Sequence, residues 1–353
     1  MTRALLILCV ALAGCAAPPA AREALQPGGT NASVETRLSG ETLLSGEAMG
    51  SVWTVKARGV APTDATALRD GIQARFDAVN LALSTWRADS ALSRFNTRDD
   101  GEWSDIDPEL AAVLRYALSL GAASGGAYDV TVGPLVNLWG FGPDPATWRV
   151  PDAAAIEAAR AHVGWRKVEV DAVQDRARKT PGVRVDLSSL GKGRGVDRVA
   201  EYLDARGISN YLIDLSGKLR ARGTNAGGEP WRVAVETPGP DQPTRAAIRP
   251  AIVTLRDASV ATAGDYRRFF ESGGTHYSHI IDPATGAPVT HHTVSATAVA
   301  ADCMHADALA TVFMAMPPDA ALRLANDVAA PALLIGREAG RLVVRPSSTW
   351  RAD

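Results

Sequence analysis

Cysteine is nearly absent, with three in 353 residues, at positions 9, 15 and 303. A disulfide framework and a cysteine-rich metal centre are therefore excluded. The formal net charge is only -2, so a nucleic-acid stripe or a polybasic membrane patch finds no support. Fixed-period repeats are lacking, which removes solenoids and propellers. With 46% hydrophobic and 22% charged residues, the remainder has the composition of a globular protein.

The N-terminus carries its own signal. Arg3 precedes an apolar run at residues 4 to 14, ALLILCVALAG. That run is far shorter than the ~20 residues of a membrane span, and it reads as the core of a signal peptide, residues 1–14. Leu12-Ala13-Gly14-Cys15 follows. Small residues before a cysteine resemble the lipobox of bacterial lipoproteins, in which the cysteine becomes the lipidated first residue. Cys15 is thus the expected lipidation site, with a palmitate-type acyl anchor. Residues 15–42, rich in Ala, Pro and Gly, read as a flexible tether. The domain is expected over 43–353, and Cys303 as a small buried residue.

Strand and helix signals then alternate. Residues 48–57 suit a strand and 64–83 a helix. Asp107 and Asp152 are good N-caps for helices at 109–121 and 153–162. Residues 165–171 and 183–187 suit strands. Val196, Val199, Ala200 and Leu203 form one apolar helix face, and Gly207 stops that helix. Further strands are expected at 210–215, 231–237, 251–255, 276–281 and 293–300. A helix at 304–315 and a hairpin at 331–336 and 341–345 close the chain. This mixed order predicts an α+β fold.

Four stretches carry chemistry. Asp307 and Thr311, four apart on a helix, present two hard oxygens on one face. Mg²⁺ takes such ligands, but an ordinary solvated helix face has the same spacing. Residues 185–197 read VDLSSLGKGRGVD. A strand end, a glycine-rich loop and a helix start near Gly195 suit phosphate, with Lys192 as a point charge. The stretch is neither a Walker A loop nor a G-x-G-x-x-G turn, and an ordinary strand–helix loop remains open. Residues 125–142 interleave aromatic and small residues around Asp129, which suits a flat heteroaromatic ring or a plain core loop. His276 and His279 lack a zinc-site partner set. A lone His there is a base, a hydrogen-bond partner or a satisfied strand residue.

Together and in order, these stretches resemble the ApbE family of FAD:protein FMN transferases. The resemblance runs from Met49-Gly50 to about Met316. It includes Ser84-Thr85-Trp86, Asp89-Ser90, Phe95-Asn96, Gly126 to Asp129, Asp186 to Asp197, Thr262 to Arg268, His279 to Gly286 and Ala306 to Thr311. It implies an α+β fold with a tunnelling-fold-like core of mixed sheets and packed helices. The implied metal ligands are Asp307, Thr311 and the backbone carbonyl of Ser189. The implied FAD contacts are Met49, Trp86, Ala127, Tyr128, Asp129, Asp186, Lys192 and Ile281. The implied reaction is Mg²⁺-dependent transfer of FMN from FAD to a Ser/Thr hydroxyl of an acceptor protein, with release of AMP. Asp307 and His279 are the catalytic candidates, His279 as the base. Mn²⁺ accepts similar donors. The expected partners are acceptor subunits of periplasm-facing electron-transfer complexes, met by a membrane lipoprotein facing the periplasm.

Three positions depart from the usual family pattern. Ala263 stands where a Ser is common, Arg194 where an aromatic is common, and Ser216-Gly217-Lys218 where Gly-Gly-Glu is more usual. Two rival functions use the same features: an FAD pyrophosphatase giving FMN and AMP, and a non-catalytic flavin-binding lipoprotein.

Overall fold

The computed structural model describes residues 36–38, 40–142, 148–235, 251–266 and 268–351. Cys15 and the segment read as a signal peptide lie outside the described residues.

A nine-stranded sheet organises the chain. Its strands are β1 (Thr36–Leu38), β2 (Glu41–Ala48), β3 (Ser51–Arg58), β4 (Tyr211–Leu215), β5 (Lys218–Arg222), β6 (Ala258–Gly264), β7 (Thr293–Ala300), β8 (Ala332–Glu338) and β9 (Arg341–Pro346). Spatial order equals chain order. Every pairing is antiparallel. The α+β class expected from the sequence holds, and the mixture is of helices with sheets rather than of strand directions. The sheet starts at Thr36, inside the stretch assigned to the tether, because β1 pairs with β2.

Four helices matter for the site: α1 (Ala65–Leu83), α2 (Pro108–Ala123), α3 (Ser188–Asp204) and α4 (Cys303–Ala315). Asp107 caps α2 by accepting from the amides of Glu109 and Leu110, as its sequence position predicts. Val196, Val199, Ala200 and Leu203 are fully buried, packing α3 with Ile72 and Phe76 of α1 and with Trp53, Val55 and Ile213 of the sheet. Burying each of the valine and leucine side chains stabilises the fold by about 1.5–3 kcal/mol. Among the described residues no helix is long and apolar enough to cross a membrane.

Four expectations need correction. The strand expected at 48–57 is broken by a two-residue hairpin turn at Met49-Gly50, with φ of 50° and 68°, the left-handed pair that matches strand twist. Residues 183–187 are no strand, since Val185 bonds through both backbone groups to the Asn96 side chain and Asp186 donates its amide to Val130. The strand of 276–281 is split into Thr275–Ser278 and Ile281–Asp282. The helix expected near Gly195 begins at Ser188, so Gly191, Gly193 and Gly195 lie inside it and form no phosphate loop.

Gly193 explains why glycine is tolerated there. A Cβ at Gly193 would sit 2.4 Å from the Cys303 carbonyl oxygen and 2.7 Å from the Met304 Cα. The backbones of α3 and α4 touch at this point, and only a residue without a side chain permits it.

Candidate active site

The fold leaves a cleft of about 740 Å³ between the N-terminal half of α3, the cavity-facing side of α4, the β4–β5 turn and the loops around 128 and 280. Its lining contains Trp86, Ala127, Tyr128, Asp129, Asp186, Ser189, Lys192, His279, Ile281, Asp307 and Thr311. These residues are scattered over more than two hundred positions of sequence, yet they share one cavity. Met49 is the predicted contact missing from the lining. It sits in the β2–β3 turn and packs between the two main cores, close to Ser51, whose hydroxyl receives a bond from Lys192.

Asp307 is the electrostatic centre. Its residue surface is 3% exposed. One carboxylate oxygen accepts from the Gly193 amide at 3.0 Å, and the other meets the Lys218 ammonium at 2.8 Å. One turn on, the Thr311 hydroxyl donates back to the Asp307 carbonyl at 3.2 Å. Tyr128 joins this side to α3, with its hydroxyl 2.7 Å from the Ser189 hydroxyl. Burial raises the Tyr128 phenol above its ordinary value, helped by the negative charges of Asp186 and Asp307. It stays neutral and available as a hydrogen-bond partner.

The start of α3 is held from outside. Asp186 accepts from the Ser188 amide at 2.8 Å. Ser188 and Ser189, the first residues of the helix, line the cleft. Asp129 lines the cleft and also organises its own loop. Its carboxylate accepts from the Thr131 amide and hydroxyl and the Trp165 amide at 2.6–2.8 Å. It folds the loop, and burial raises its pKa despite those bonds. Trp139 ties the same loop to the Asp282–Gly286 turn by donating to the Gly286 carbonyl at 2.8 Å. Trp86, 69% exposed, stands at the margin.

His279 lines the cleft with one ring nitrogen engaged. Its Nδ1 lies 3.0 Å from the Arg268 carbonyl oxygen. A carbonyl only accepts, so Nδ1 carries the proton and Nε2 carries the lone pair. Burial lowers its pKa to about 4, and the ring is neutral at pH 7. His276 is drawn elsewhere, to Asp265 at 3.5 Å.

The hard oxygens of Asp307, Thr311 and the Ser189 carbonyl fit a cation such as Mg²⁺ by donor chemistry. Among the described residues no group of three or more His, Cys, Asp or Glu gathers to hold a metal, so a zinc-type centre has no counterpart. Asp214 is a cleft residue that the sequence did not single out. It lies at the end of β4, and its convergence on the cleft depends on sheet order. Lys218 stood out only as a departure from a pattern. Arg194, another departure, points away to Glu109 of α2, which it shares with Arg198. Ala263 lines the cleft.

Comparison with known proteins agrees with this geometry. A model of the ApbE family matches residues 49–334. An FAD:protein FMN transferase of Klebsiella pneumoniae is 38% identical over 338 residues, covering 95% of this chain and 92% of that protein. One from Vibrio cholerae is 40% identical over 295 residues, covering 83% and 86%. Among solved structures, the flavin transferase ApbE from Vibrio cholerae superposes with a TM-score of 0.80 at 38% identity, covering 88% of this chain and 98% of that one. The apo Pseudomonas stutzeri flavinyl transferase ApbE gives 0.79 at 35% identity, covering 88% and 95%. Because the match spans both the fold and the cleft, the chain belongs to the ApbE family.

Proposed function

We propose that this chain is an FAD:protein FMN transferase, moving FMN from FAD to a Ser or Thr hydroxyl of an acceptor protein and releasing AMP. The observation that carries this reading is the convergence of Asp307, Thr311, Ser189, Asp186 and Lys192 on one cleft, in a chain whose relatives bear that enzyme name.

The acceptor hydroxyl supplies the nucleophile. Its oxygen bonds to the FMN-side phosphorus, the anhydride bond to the AMP phosphate breaks, and AMP leaves with the bonding pair. The hydroxyl proton passes to Nε2 of His279, which is neutral and free to take it. Lys192 orients the diphosphate and opposes its charge. Trp86 and Tyr128 flank the flavin. Asp307, Thr311 and the Ser189 carbonyl would hold Mg²⁺, or Mn²⁺ with the same donors. Bound there, the ion neutralises charge developing on phosphate oxygens.

The same reading makes the mature chain a lipoprotein anchored on Cys15 and facing the periplasm, with electron-transfer subunits as acceptors. The lipobox residues support it.

The test is incubation of the purified protein with FAD and Mg²⁺, with and without a co-expressed acceptor domain. Mass spectrometry should find an FMN adduct on an acceptor Ser or Thr, and AMP should appear only when acceptor is present. Rapid AMP release without acceptor would establish the hydrolase instead. Intact FAD with neither AMP nor adduct would leave a flavin binder.

A further inference from the structure

Lys218 reaches the Asp307 carboxylate from the β4–β5 turn. It is the first residue after the Ser216-Gly217 turn, whose φ values are 53° and 82°. Asp214 locks that turn by accepting from the Gly217 amide at 2.8 Å. Strand alternation then puts Lys218, Arg220 and Arg222 on one face of β5. Each meets an acid: Asp307, Asp197 and Asp204 respectively. The second pair has a structural task, since Asp197 also accepts from the Cys303 and Met304 amides at the start of α4. Lys218 alone of the three lines the cleft.

We propose that Lys218 is a resident counter-ion for Asp307, which holds the carboxylate in place before a divalent ion arrives and competes with that ion for it. The inference rests on the metal site of the proposed function. Lys218 Nζ lies 2.8 Å from Asp307 Oδ1 and 2.8 Å from the Thr262 carbonyl oxygen. The side chains are 12% and 4% exposed. With Oδ2 bonded to the Gly193 amide, both oxygens of Asp307 are engaged. A divalent ion on Oδ1 would have to share that oxygen with the ammonium or displace it, and two cations on one buried oxygen repel strongly at low dielectric. An ammonium has three protons, and two are spent on Asp307 and Thr262. When displaced from Asp307, Lys218 remains in the cleft as a second positive charge for the diphosphate. Metal binding and phosphate binding are thereby coupled through one side chain.

The test reads Mn²⁺ binding without any flavin, by the loss of the free-ion electron paramagnetic resonance signal. Lys218→Gln should bind Mn²⁺ at least about tenfold more tightly than the wild type, and Lys218→Arg should retain the weaker binding. Asp307→Asn should bind none at this site. Unchanged or weaker affinity in a folded Lys218→Gln protein, or full affinity in Asp307→Asn, overturns the proposal. Should Lys218→Gln fail to fold, wild-type crystals soaked in Mn²⁺ decide. Lys218 Nζ withdrawn from Asp307 Oδ1 supports the proposal, and an ion on Asp307 with the 2.8 Å contact intact refutes it. A protein that passes these tests but never flavinylates an acceptor would keep the Lys218 assignment and lose the transferase reading.

Discussion

Replacing Gly193 by alanine should drive apart the two helices that carry the site. The new methyl would lie 2.4 Å from the Cys303 carbonyl oxygen, 2.7 Å from the Met304 Cα and 2.8 Å from the Asp307 Cβ. Two of these are backbone atoms, so no rotamer change relieves the clash. The carbonyl must retreat by about 1 Å to reach an ordinary contact of 3.4 Å. Overpacking of this kind costs about 1–3 kcal/mol. Alanine returns about 1 kcal/mol of helix propensity, which leaves a net loss of about 0–2 kcal/mol. The same displacement moves Asp307 from Ser189, and misplacement by ~1 Å at a reacting centre lowers rate about 100-fold. Gly191→Ala is the internal control, because nothing lies within 4 Å of its Cβ position. It should gain up to ~1 kcal/mol. Urea unfolding and flavin-transfer rates on the two variants check the argument. If Gly193→Ala is as stable and as active as Gly191→Ala, the backbones do not meet as described and the reasoning fails.

Three further outcomes are expected. His279→Gln should lower the transfer rate by ~10²–10⁴, while the wild-type rate should show no His inflection near pH 6.5, because burial holds the ring to about 4. Stability linked to His279 should be fully present above 6.5 and decline as pH falls towards 4, since the unfolded chain binds that proton first; a pH series of urea midpoints reads the sign. Trp86→Ala, at a site 69% exposed, should change stability by less than about 0.5 kcal/mol and raise the KM for FAD several-fold; an unchanged KM would remove Trp86 from the flavin site. Cys15→Ser should shift the protein from the membrane fraction to the soluble extracytoplasmic fraction, and metabolic labelling with palmitate should be lost. Wild-type protein found in the cytosol would contradict the lipoprotein reading.

The local signals in the chain were sufficient wherever one short segment decides its own conformation. Asp107 and Asp152 predicted their helices, and both side chains accept the expected amides. The spacing of Val196, Val199, Ala200 and Leu203 predicted a face that is fully buried. Asp307 and Thr311 were legible as two oxygens on one helix turn, and ordered motif blocks carried the family. Tertiary structure decided what depends on approach between distant segments. Glycines at 191–195 suggested a loop, since intrinsic propensity disfavours them in a helix; contact with Cys303 and Met304 makes Gly193 a requirement of helix crossing instead. Asp129 was expected to touch FAD, and the fold adds that it organises its own loop at the cleft. Lys218 was only a residue out of pattern until sheet register set it 2.8 Å from an acid 89 positions away in the chain. A buried charge chooses its partner by space and not by sequence distance, because desolvation must be offset by whatever opposite charge the fold brings near.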